Sequence, residues 1–265
     1  MKFFKVLKYE FLENMTSILL INGILIVLIL TIRLFAGAVD SYRDLNWFTS
    51  MLIMLTPFAI FCSIIFLVIV ILKSLNSRLF STEGYLTLSL PVKLDSILVS
   101  KIIVSASYIL LSLLVVFLWV FLMIGSIEVD VFRNTYETLR SLDFLHTIYI
   151  LWLTILYTIK PLICILFILT LLNIGKINRF KPLVGIVLFF VLYIMESLTF
   201  GIAKNMIYHS FLFIDGYYAD FIRLFFQSHY KTINIFVLTE SISTIAIILI
   251  YYFFSKYLIK NKLEI

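Results

Sequence analysis

Six long apolar runs, separated by short stretches that carry most of the charge, set the pattern of the chain: about 17 to 38, 47 to 72, 102 to 126, 147 to 173, 182 to 203 and 235 to 257. A bilayer hydrocarbon core about 30 Å thick needs about 20 residues of helix at about 1.5 Å per residue, so each run predicts one transmembrane helix. The longest break between runs, 204 to 234, has no room for a separate soluble domain. The pattern therefore predicts an all-α polytopic membrane protein, one transmembrane domain over residues 1–265.

Composition sharpens this. The 265 residues are 63% hydrophobic and 14% charged, against about 45–50% apolar and about 25% charged in ordinary soluble domains. So much apolar surface needs lipid to cover it, and it excludes a disordered chain. Two Cys and three His leave little scope for a disulfide framework or a metal site, and none is expected.

The net charge of +6 is explained by its distribution. With the N-terminus in the cytosol, the inner segments hold Lys2, Lys5, Lys8, Lys73, Arg78, Lys93, Lys101, Lys176, Arg179, Lys181, Lys256, Lys260 and Lys262. The outer segments hold seven: Arg33, Arg43, Arg133, Arg140, Lys204, Arg223 and Lys231, nearly cancelled by outer acids such as Asp40, Asp44, Glu128 and Asp130. This bias places both termini in the cytoplasm of a multi-pass cell-membrane protein and makes nucleic acid an unneeded partner. Ala36-Gly37-Ala38 has the look of a signal cleavage site. However, the first apolar run exceeds a signal core of about 7–15 residues, and Glu10 and Glu13 interrupt the basic leader, so a retained helix is expected.

Two of the remaining segments are more apolar than free loops. In residues 1–14, Phe3, Phe4, Leu7, Phe11 and Leu12 fall near one helical face. That spacing describes an interfacial helix on the inner leaflet, or else a basic flank that anchors the first span. Residues 81–95, STEGYLTLSLPVKLD, alternate Leu86, Leu88 and Leu90 with Thr87 and Ser89. Period alone suggests a strand, but a lone strand has no partner for its backbone. A short helix opened by Ser81 or Thr82 and stopped by Pro91 suits better, with Asp95 placed to cap the next helix. It leaves an apolar knob on the cytosolic face.

The run Glu83, Gly84, Tyr85, Leu86, Thr87, Leu88, Ser89, Leu90, Pro91, followed by a basic residue and a long helix, resembles the inner loop of ABC-2 type permeases. These are the membrane subunits of one class of ABC exporter, familiar among Gram-positive permeases for antimicrobial or amphipathic peptides and drugs. The layout of an amphipathic N-terminus, six spans and inner termini is also similar. The resemblance implies a coupling helix at about 81 to 92 that docks on a separate ATPase subunit, with Glu83, Gly84, Tyr85, Leu86, Leu88, Leu90 and Pro91 forming the contact. It implies a second permease subunit, identical or related, and ATP and magnesium bound by the partner, with no cofactor on this chain. The chain has no G-x-x-x-x-G-K-[ST] loop of its own. A loop packed against its own helices remains the plainer reading of the knob.

The break from 204 to 234 holds nine Phe and Tyr between Tyr208 and Tyr230. An aromatic belt at headgroup level accounts for them. So does a re-entrant pair of short helices hinged near Asp215-Gly216, the arrangement the resemblance implies between helices five and six.

Three ionisable residues lie within spans: Lys160, Glu196 and Glu240. Each isolated charge costs about 2.5–3.5 kcal/mol on insertion scales, and Lys160 and Glu196 match in depth on consecutive spans, so they are candidates to pair. They are read either as lining a translocation path or as a static pair, with lysine snorkelling a further alternative; Glu240 is placed to face water or Lys204. Pro161 and Pro57 are expected to kink their helices. Cys62 and Cys164 read as packing residues. No H-E-x-x-H or suitably placed G-x-S-x-G motif supports catalysis, so the chain is expected not to be an enzyme. An ion-coupled secondary transporter using Lys160, Glu196 and Glu240 is the alternative to the exporter, though no internal repeat of the 83 to 92 run is visible.

Overall fold

The computed structural model describes residues 2–36, 47–80, 93–127, 144–175, 180–212 and 230–262. Among these there are six helices and no strand: α1 (Lys2–Ala36), α2 (Trp47–Phe80), α3 (Leu94–Ile127), α4 (Phe144–Ile174), α5 (Lys181–Leu212) and α6 (Tyr230–Lys262). Each contains a stretch long and apolar enough to cross a bilayer. The chain is a multi-pass membrane protein. At 31 to 35 residues the helices run about 46–52 Å, longer than the hydrocarbon core alone requires.

The chain divides into two compact units, Met1–Thr147 and Ile148–Ile265. In the first, α1 and α3 run parallel. Glu10 meets Lys101 and Asn22 meets Ser112, so partners advance together along both helices. The seam on α1 is Ile18, Asn22, Leu25, Ile29 and Ile32, all buried, and steps of three and four keep them on one face. Ser100, Ser105 and Ala106, buried on α3, let the backbones approach, as small residues do between membrane helices. Val70 of α2 packs on the cluster of Ile18, Val104 and Tyr108, and Asn14 donates to Ser74 Oγ at 3.2 Å.

Residues 2–14 are helical, but they do not form a separate interfacial helix. They are the opening turns of α1, with no Pro or Gly before Thr16 to break it. Their apolar face is also divided. Leu7 and Phe11 pack into the unit, while Phe4 and Leu12 are exposed. The helix is held there by Glu10, whose buried carboxylate faces Lys101.

In the second unit α4 is the most buried helix and α5 the least. Leu153 packs with Val237, and fourteen residues further along both helices Phe167 stacks on Tyr251 with centroids 5.1 Å apart, so α4 and α6 are parallel and in register. Cys164, Ile168 and Leu172 receive Leu192, Leu188, Phe189 and Val184, an antiparallel α4–α5 packing that closes toward the 175–180 connection. At that end Gly175 N–H donates to the Leu171 carbonyl, and Lys181 Nζ donates to Asn173 Oδ1 at 2.6 Å. Phe180, the residue before α5, has φ 58°, a left-handed turn into the helix that Pro182 then favours.

Pro57 and Pro161 lie inside continuous helices and end neither. Asp95 falls in the first turn of α3 rather than capping it from outside, where its charge still favours the helix N-terminus.

Candidate functional site

The candidate site is built on α4, α5 and α6 around Glu196. Lys160 Nζ lies 2.5 Å from Glu196 Oε2, with the two side chains 22% and 10% exposed. Of the alternatives open to these two residues, the structure shows them paired. Its geometry follows from the α4–α5 register: four-residue steps back from Leu172 through Ile168 and Cys164 reach Lys160, and four-residue steps forward from Val184 through Leu188 and Leu192 reach Glu196. Tyr251 of α6 packs against the same Cys164, Ile168 and Leu172 cluster, which brings α6 to this end of the α4–α5 contact.

One turn along α4 toward its N-terminus, the Tyr157 hydroxyl donates to Glu240 Oε2 at 2.8 Å. Glu240 is buried, and Ser243 and Thr244 beside it are buried as well. On the other flank of the same seam Trp152 Nε1 donates to Ser241 Oγ at 2.9 Å. Leu153 and Val237 pack together in this seam, with Tyr149 and Phe236 against them. The expectation that Glu240 faces water is corrected by this burial; the Lys204 side chain lies outside the described residues.

Residues 81–92 lie outside the described residues, so Glu83, Gly84, Tyr85, Leu86, Leu88, Leu90 and Pro91 have no structural account here. The same holds for the hinge at Asp215-Gly216. The described parts of the 204 to 234 break, up to Leu212 and from Tyr230, continue α5 and α6 as helix.

A second buried ion pair was not anticipated from sequence. Lys101 Nζ contacts both oxygens of Glu10 at 3.1 Å, with side chains 1% and 8% exposed. Phe11 stacks on Tyr108, whose hydroxyl donates to the Phe11 carbonyl. By the hydropathy pattern both charges fall in cytosolic flanks of their spans. The available signal was register: Glu10 precedes Asn22 by about the interval that separates Lys101 from Ser112, which puts two opposite charges level on neighbouring helices.

Among the described residues no cluster of three His, Cys, Asp or Glu is placed to hold a metal. Cys164 is buried in the α4–α5 packing, whereas Cys62 is exposed on α2. Comparison with protein-family models, curated proteins and solved structures finds no match.

Proposed function

We propose that this chain is the membrane-spanning permease subunit of a type-2 ABC exporter. It moves an amphipathic substrate (an antimicrobial peptide, drug or lipid-like molecule) outward, using ATP hydrolysed by a separate subunit, and it pairs with a second permease chain. The observation that carries this reading is the Glu83–Pro91 run between two long spanning helices, together with the absence of a phosphate-binding loop in the chain. The membrane fold of six spanning helices supports the reading.

In this account both termini are cytoplasmic and the 81–92 segment receives the push of the ATPase. That segment leads directly into α3, and α3 is joined to α1 through Lys101 and Glu10, so a displacement at its start carries both helices. The 204–234 segment faces outward and dips into the outer leaflet.

A second reading, an ion-coupled secondary transporter, is favoured by one observation: Lys160, Glu196 and Glu240 are gathered within a single unit. Intramembrane ionisable groups commonly mark ion pathways. Efflux of a fluorescent amphipathic peptide from cells expressing the chain with its neighbours separates the two. The exporter loses efflux when ATP is depleted with ion gradients held, and keeps it when gradients are collapsed with ATP held. The reverse outcome assigns the chain to secondary transport.

A further inference from the structure

The polar groups on α4 do not stop at one pair. Tyr157 and Lys160 are three residues apart, which on a helix makes them neighbours with Cβ atoms about 5–6 Å apart. Tyr157 touches Glu240 and Lys160 touches Glu196. The α4–α6 register, fixed by Leu153 with Val237 and by Phe167 with Tyr251, sets Glu240 level with Leu156, one turn from Lys160. Side chains on a helix lean toward its N-terminus, which for Lys160 is the direction of Glu240. A lysine has a flexible four-carbon stem and a compact charge that can change partners without a fixed fork geometry.

From this placement we infer that Lys160 is a shared cation, paired with Glu196 in the arrangement seen here and transferred to Glu240 when α5 moves away from α4. α5 is the least buried helix of its unit, and the Lys160–Glu196 contact continues the line of apolar contacts holding it to α4. A movement of α5 that broke the pair with no alternative partner would strand a lysine in an apolar span. With Glu240 one turn away, the ammonium keeps a carboxylate in both arrangements, and Tyr157 stays beside Glu240 as a hydrogen-bond donor. The device is a two-position latch on α4. It holds whether transport is powered by ATP or by an ion gradient, because it concerns only how this unit opens.

The test uses the full-length protein in lipid nanodiscs, reading thermal unfolding midpoint and membrane accumulation. Glu196→Gln and Glu240→Gln each leave the lysine one carboxylate, and each is expected to lower the midpoint by a few degrees. The double variant leaves it none, and is expected to lose far more than the sum of the two, with accumulation down roughly tenfold, as for a buried charge left alone. Adding Lys160→Met to the double variant should restore both readouts to near the single-variant level. If the double variant does not accumulate, recovery in the triple variant carries the same information. Losses that simply add, or a triple variant no better than the double, would overturn the inference.

Discussion

Lys101 and Glu10, ninety-one positions apart in sequence, meet with the lysine nitrogen 3.1 Å from each carboxylate oxygen and almost no exposure of either side chain. This contact turns the N-terminal turns of α1 from a surface flank into part of the first unit. Removing one partner leaves the other charge buried and unpaired. Lys101→Met is therefore expected to destabilise by about 3–5 kcal/mol, and Glu10→Leu with Lys101→Met to recover most of it. Thermal unfolding of the purified variants checks this; a single variant as stable as the wild type would show the pair to be dispensable.

Lys160 and Glu196 lead to a related expectation. The pair is less enclosed than Lys101–Glu10, but it lies within the spans, where a charge left alone has no water to solvate it. Lys160→Met alone should lower membrane accumulation more than Lys160→Met with Glu196→Gln, since the double change removes both charges. Quantitative immunoblotting of membrane fractions measures the order, and equal or greater loss in the double variant would contradict it.

Gly185 of α5 faces the Leu172 side chain of α4. A Cβ added there would meet Leu172 Cδ1 at 3.3 Å, the tip of a side chain that can swing aside. Gly185→Ala is expected to stay within about 1 kcal/mol of wild type, while Gly185→Leu, which must push the Leu172 and Ile168 side chains aside, should cost about 1–3 kcal/mol. Unfolding midpoints of the two variants, compared side by side, test the closeness of this packing.

The spans were legible because apolar length is a direct demand of the bilayer. Their ends were less so, for a physical reason. A hydropathy reading stops at a charge, and it ended the third span beside Lys101, yet α3 begins at Leu94 because Lys101 is compensated by Glu10 and buried. The same holds for α1, which runs from Lys2 without interruption although the apolar run begins only at about residue 17. Lys160 and Glu196 could be named as candidates to pair from their matched depth on consecutive spans, and register settles that they meet. Tyr157, which reaches Glu240, could not be picked out: it is one tyrosine among fifteen, and only register decides which of them meets a carboxylate.

The reading of this chain as a subunit driven by a neighbouring ATPase is tested most directly by isolating it from its native membranes in mild detergent and identifying what accompanies it. The account predicts a stoichiometric partner with a phosphate-binding G-x-x-x-x-G-K-[ST] loop and ATPase activity, retained several-fold less by Tyr85→Ala or Leu86→Ala at unchanged membrane insertion. A chain that transports without such a partner, or whose partner is held equally well by both variants, would contradict it.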